Sequence, residues 1–179
     1  MDLYLFERIN SMAGTYAWFD AAMRFFSTYG IWVGMLSIFL LLFTKKRNIG
    51  RIGIIGLVLS LGINQFIKNA LERPRPFIQE DSVQLLIERG ASPSFPSDQA
   101  VIMGVVAVTW LLVHKKIGTL AAVFSLFLLF SRVYVGHHYP LDVAAGFFLS
   151  AVLMLGLSTF RKSRQKKKYP SKDVSNHFP

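Results

Sequence analysis

The 179-residue chain contains no cysteine, which excludes a disulfide framework, a cysteine-ligated metal or cluster, and a cysteine nucleophile. Charge is scarce as well. Asp, Glu, Lys and Arg make up 17% of the residues, against about 25% in an ordinary soluble domain. Acids are the rarer sign, with 10 Asp and Glu facing 20 Lys and Arg. Thirteen glycines and seven prolines are too few for a collagen-like or low-complexity chain. The rest is apolar: 53% hydrophobic and 14% aromatic, with a mean hydropathy of +0.42. The length fits one domain, and the composition puts much of it in lipid.

About 20 apolar residues are needed to cross the hydrocarbon core of a bilayer as a helix. Five runs reach or approach that length: roughly 25–43, 52–71, 100–113, 117–136 and 141–160. The third is short unless its polar start lies inside protein. Most links between runs are short, so antiparallel neighbours are expected. The opening stretch carries Leu5, Ile9 and Met12 at helical spacing, flanked by Leu3 and Phe6. Its polar Asp2, Glu7, Arg8 and Asn10 suit a helix lying at the membrane interface better than one that spans. The expected fold is therefore all-α. It is an integral membrane helix bundle of five spanning helices, or six if the first stretch also crosses, with an N-terminal interfacial helix. One domain covers residues 1–160, followed by a basic tail, 161–179.

Charge orients the bundle. With the N-terminus outside, the inner segments hold thirteen of the 20 basic residues and only one acid, Asp173. Excess Lys and Arg marks the cytoplasmic face, so the C-terminus is expected in the cytoplasm of a multi-pass plasma-membrane protein. The net charge of +10 belongs to that inner rim and its contact with anionic membrane lipids, not to nucleic-acid binding.

Three clusters interrupt the apolar runs, and all fall on the outer side: Lys68 to Pro76, Ser94 to Ala100, and Ser131 to Asp142. Ionisable residues at membrane depth are costly and usually functional or paired. A phosphate needs cationic forks and backbone donors. Lys68 ends one run, Pro74 and Pro76 fold Arg75 into a turn, and Arg132 lies about a turn inside its helix. Ser97 stands where a new helix begins, with free N–H groups beside it. His138 and Asp142 are four residues apart, with Pro140 at a plausible first helical position. One helical turn would let the Asp142 carboxylate accept from an imidazole N–H, leaving the other ring nitrogen free as a nucleophile. Taken singly, Asp142 and Ser97 read equally well as helix-capping residues, and Lys68, Arg73 and Arg75 as side chains reaching for the headgroups. The few acids near the site do not resemble a divalent-cation cage, so no metal and no cofactor is expected.

The pattern of Lys, six residues, Arg-Pro, then Pro-Ser, then Ser-Arg, five residues, His, three residues, Asp resembles the three-part motif of the type-2 phosphatidate phosphatase and haloperoxidase superfamily. Lys68, Arg75 and Pro76 match its first part, Pro96 and Ser97 its second, and Ser131, Arg132, His138 and Asp142 its third. Among members the chain looks most like the small bacterial undecaprenyl-diphosphate phosphatases of the bacitracin-resistance type. The resemblance implies hydrolysis of the terminal phosphate of a polyprenyl diphosphate lipid on the outer face of a bacterial plasma membrane. His138 would attack phosphorus, forming a phosphohistidine with help from Asp142. Lys68, Arg75, Ser97 and Arg132 would bind the phosphoryl oxygens, aided by backbone N–H near Asp98. A phosphatidate or phosphatidylglycerophosphate phosphatase and a non-catalytic lipid-phosphate binder are the alternatives.

One position departs from the motif. Where the superfamily carries a histidine as acid to the leaving group, this chain has Gln99, which can donate a hydrogen bond but not a proton. Three readings follow: an inactivated form, a variant whose lipid-phosphate leaving group needs little acid, or proton supply by His137. The second is preferred. The outer 72–98 segment, with apolar Val83, Leu85, Leu86 and Ile87, is expected to dip into the headgroup layer as a short helix.

Overall fold

The computed structural model of the protein describes residues 1–168, and their side chains as far as Arg164. All regular structure in it is helical: α1 (Asp2–Asn10), α2 (Ala17–Leu41), α3 (Arg47–Leu71), α4 (Pro76–Gln79), α5 (Asp98–Val113), α6 (Lys115–Tyr134) and α7 (Pro140–Lys168). The end of the expected basic tail, 169–179, lies outside the described residues.

Four helices, α2, α3, α6 and α7, are long and apolar enough to cross a membrane. Outward-facing Trp18, Trp32, Phe43, Phe66, Leu120 and Val152 are exposed, as lipid-facing side chains should be. α5 has only 16 residues, about 24 Å of helix against a hydrocarbon core of about 30 Å. It packs against α2, α3, α6 and α7, and every residue from Ala100 to Thr109 is buried. A helix enclosed on all sides needs no polar face, which is why this run lacks one. Gly104 brings α5 against α7: a Cβ there would lie 2.5 Å from the Phe147 carbonyl oxygen and collide with Ser150 Oγ.

Alternating helix directions carry the three polar clusters to one end of the bundle. The close of α3, the start of α5, the close of α6 and the start of α7 all meet there. Lys45 and Lys46 before α3, and Arg47, Lys115 and Lys116 at the starts of α3 and α6, lie at the other end. α1 packs on α6 and α7 at the site end. It buries Phe6 and Asn10 and leaves Leu3 and Leu5 exposed, as is Met12 in the turn that follows. Asn10 works as a staple, donating to the carbonyls of Tyr134 (2.9 Å) and Gln84 (3.0 Å) and accepting from Gln84 N–H (2.8 Å).

The 72–98 segment corrects one expectation. Its helix is α4 at Pro76–Gln79, and residues 83–87 are irregular. Val83 packs on the main apolar core, while Leu86 and Ile87 pack on a smaller one. The Leu86 N–H bonds the Val135 carbonyl. These side chains are held by the bundle and their backbone partners lie in α1 and beyond α6, so a helix cannot close here.

Candidate active site

Pro140 opens α7, and its fixed φ suits a first helical position. Two residues on, Asp142 reaches back to accept from the Tyr139 N–H at 2.9 Å, closing one end of a capping box. Before the proline, Gly136 turns the chain at φ 85°, a left-handed conformation that favours glycine. That turn sets His137 N–H on the Arg132 carbonyl (3.1 Å) and presents His138 to the interior.

His138 is buried. Its Nδ1 lies 3.0 Å from the Ser94 carbonyl oxygen, which only accepts, so this nitrogen carries the proton. Nε2 is left with its lone pair, and Nη1 of Arg75 donates to it at 3.2 Å. Burial, followed by the positive charges of Arg132, Arg75 and Arg89, holds the ring well below the ordinary histidine pKa. The imidazole is therefore neutral at physiological pH.

The expected hydrogen bond from His138 to Asp142 is not made. Nδ1 stands 3.7 Å from Oδ2. The carboxylate is already saturated: Ser94 Oγ donates to Oδ2 at 2.5 Å, and Arg73 Nη1 donates to Oδ1 at 2.7 Å. Ser94 thus bridges the two groups, its hydroxyl on Asp142 and its carbonyl on His138.

The cationic side chains divide into two groups. Ser97 is the N-cap residue of α5, yet its hydroxyl makes no cap bond. It is buried without a partner among the described residues, as are Nε and Nη2 of Arg132. The N–H groups of Asp98, Gln99 and Ala100 precede the first bond of α5, Val101 N–H to Ser97 O, and are free as helix-terminal donors. These groups have donors to offer an anion. Arg75 is engaged, donating to Ser92, to the carbonyls of Pro93 and His137, and to His138. Burial and the neighbouring Arg89 bring its guanidinium down to about 10, still protonated at neutral pH. Lys68 Nζ donates to Asp98 Oδ2 at 2.6 Å. The Asp98 carboxylate also takes Asn64, so what Asp98 can offer a phosphate is its backbone N–H.

The clusters are stitched together. Ser97 N–H donates to the Asp142 carbonyl at 3.0 Å. Gly146 lets α7 approach, since a Cβ there would lie 2.7 Å from Ser97 O. Arg132 Nη1 and Gln99 Nε2 both point to Ser27 of α2, the arginine to the hydroxyl at 2.6 Å and the amide to the carbonyl at 3.4 Å. His137 faces elsewhere. Its Nε2 donates to the Ile87 carbonyl at 2.8 Å, and burial followed by Arg132 lowers it to about 3. It holds no spare proton at neutral pH, which removes the reading that it replaces the missing acid.

Sequence reasoning passed over Ser27, Asn64 and Ser92, and it gave Arg73 and Ser94 no role in the site although both lie in its polar clusters. The constellation it did find, neutral imidazole against buried cations and a helix N-terminus within a membrane bundle, defines a class of phosphoryl-handling membrane protein. A family model described as the PAP2 superfamily matches residues 50–166, and the chain belongs to that superfamily. It is 34% identical over 170 residues to undecaprenyl-diphosphatase BcrC of Bacillus subtilis (strain 168), covering 91% of this chain and 84% of that protein. An undecaprenyl-diphosphatase of Sulfolobus acidocaldarius is also 34% identical, over 151 residues, with 82% and 72% covered. Among solved structures, Aquifex aeolicus LpxE superposes with a TM-score of 0.77 at 23% identity, covering 88% of this chain and 94% of the other. A PAP2-type phosphatidylglycerolphosphate phosphatase from Bacillus subtilis gives 0.66 at 24%, covering 90% and 86%. The two structural likenesses bear on the fold alone.

Proposed function

We propose that the chain is a membrane undecaprenyl-diphosphate phosphatase that removes the terminal phosphate of its lipid through a phosphohistidine at His138. The observation that carries this reading is the Nε2 lone pair on Arg75, in a cluster that also holds buried donors of Ser97 and Arg132 without a partner among the described residues. The names of two relatives, both undecaprenyl-diphosphatases, support this choice of substrate.

In the resting arrangement an N–H of Arg75 covers the nucleophile. An arriving phosphoryl group takes over that donor and frees the lone pair. Ser97, Arg132, Lys68 and the first N–H groups of α5 meet the remaining oxygens, where donors fixed in a buried site stabilise developing charge strongly. Nε2 bonds to phosphorus, the bridging P–O bond breaks, and lipid phosphate departs with the electron pair. The cationic imidazole that forms keeps its Nδ1–H on the Ser94 carbonyl, with the Asp142 carboxylate nearby. Water then attacks phosphorus, releasing phosphate and restoring His138. Lipid phosphate is a stable anion, so the amide of Gln99 suffices where a proton would otherwise be required. An apolar groove of about 270 Å³, lined by Ile9, Phe130, Val133, Pro140, Val143 and Phe147, suits the isoprenoid chain. The concentration of Lys and Arg at the opposite end of the bundle supports an outer-face site and a cytoplasmic C-terminus.

The test offers purified protein in detergent a prenyl diphosphate and phosphatidate in parallel. Phosphate should be released from the diphosphate, and His138→Ala should cut the rate by about 10³-fold or more while elution and melting stay as in the parent. Release at the parent rate by that variant would overturn the assignment. Gln99 also favours a second reading, a lipid-phosphate binder without turnover; binding with no release from either substrate would establish it.

A further inference from the structure

The N-terminal helix carries a carboxylate to the edge of the site. Asp2 Oδ2 accepts from Arg73 Nη2 at 2.7 Å, and Asp2 Oδ1 accepts from the Leu141 N–H, in the first turn of α7, at 2.9 Å. Arg73 uses its other terminal nitrogen on Asp142 Oδ1 at 2.7 Å. Its guanidinium is laid over the Tyr139 ring, 4.2 Å from the centroid. Phe6, one turn along α1, meets the other side of this corner, its ring 5.3 Å from that of Tyr139. The arginine is thus fixed by a carboxylate on one nitrogen, an aromatic face below, and a second carboxylate on the other nitrogen. Such two-sided engagement fits the planar fork of Arg and not the point charge of Lys.

We infer that Arg73 and Asp2 are positioning residues for the phosphatase centre: Arg73 sets the Asp142 carboxylate, and Asp2 sets Arg73. The inference rests on the phosphohistidine reading above. The line runs Asp2, Arg73, Asp142, Ser94, His138, each link a hydrogen bond of 2.5–3.0 Å. Its five members come from α1, the α3–α4 turn, α7, the segment before α5, and the α6–α7 turn. Neither Arg73 nor Asp2 touches His138. Both act by keeping Oδ2 of Asp142 turned to Ser94, whose carbonyl holds the ring proton and so aims Nε2. Arg73 is a separate residue from the motif cation Arg75, which meets His138 directly.

Steady-state kinetics on the purified full chain in prenyl diphosphate micelles tests this, with melting temperature measured alongside. Arg73→Ala should lower kcat by about 10²-fold with KM changed by less than about threefold, the signature of a group acting on the transition state. Arg73→Lys should recover part of that loss by holding one carboxylate. Asp2→Asn should cost about 3–10-fold in kcat. The double variant should be no slower than Arg73→Ala alone, because the asparagine Oδ1 can still accept from the Leu141 N–H and the carboxylate oxygen that is lost acts through Arg73. A rise in KM at unchanged kcat would make Arg73 a substrate ligand and overturn the inference. So would multiplying losses in the double variant, or parent-like kcat in both singles. If Arg73→Ala does not fold, Asp2→Asn and Arg73→Lys decide by the same split. Failure of the parent to release phosphate would count against the proposed function itself, whereas an active parent with indifferent variants would count only against this line of contacts.

Discussion

Gln99 is where this chain and its superfamily motif part. The amide points its nitrogen to the Ser27 carbonyl and leaves its oxygen without a partner among the described residues. It stands beside Arg132, which shares Ser27. A histidine there would deliver a proton to the departing oxygen, which matters for an alkoxide and little for a phosphate. Gln99→His should therefore raise phosphatidate hydrolysis by about 10²-fold and prenyl diphosphate hydrolysis by less than about threefold, read as phosphate release from each. A large gain on the diphosphate would mean that the leaving group does need an acid. At this scale, the motif residues were readable because their spacing within each cluster is local. Ser94, Arg73 and Ser27 were not. Ser94 is 48 residues from Asp142, Arg73 is 69 from Asp142, and Ser27 is 105 from Arg132. No local pattern announces such partners, and a serine or an arginine beside a turn has many innocent uses. Asp142 and His138 do lie close, 3.7 Å apart, but without the expected direct hydrogen bond, for a related reason: four residues of separation permit a contact, and Ser94 and Arg73 compete for the same oxygens.

The helices themselves were legible from apolar length. The run expected over 25–43 is α2, and it begins earlier, at Ala17, because Asp20 finds partners within the fold and Arg24 is exposed, so neither charge stops the helix. Asp20 takes the Gly14 N–H and the Tyr134 hydroxyl. α5 was the ambiguous case, too short to span by itself, and its neighbours resolve it. Its tight seam with α7 predicts that Gly104→Ala costs about 1–3 kcal/mol, since the added carbon meets the Phe147 backbone, which cannot turn aside, as well as the Ser150 hydroxyl. Gly62→Ala on α3 meets nothing within 4 Å and should be neutral or up to about 1 kcal/mol stabilising through helix propensity. Denaturation of both variants in detergent checks the pair. Equal midpoints for the two would mean that the seam yields.

Orientation is a property of the whole chain, and the absence of cysteine makes it simple to measure. Gly90→Cys lies in the segment between α4 and α5, at an exposed position with nothing within 4 Å of a Cβ. Lys46→Cys lies at the opposite end, also exposed. A membrane-impermeant maleimide added to intact cells should label the first and not the second, with both labelled after lysis. The reverse pattern would turn the molecule over and put phosphate release inside the cell.

Arg75, Ser97 and Asp142 have no solvent-accessible surface, and Arg132 and His138 have 2% each. A small phosphate ester drifting through water thus meets a nearly closed surface over these residues, and the side chains packed around them must part before a guest reaches the reacting nitrogen. Discrimination begins at admission, before any bond is made or broken, and a long hydrocarbon anchor gives its bearer the residence time at the doorway that a dissolved metabolite lacks.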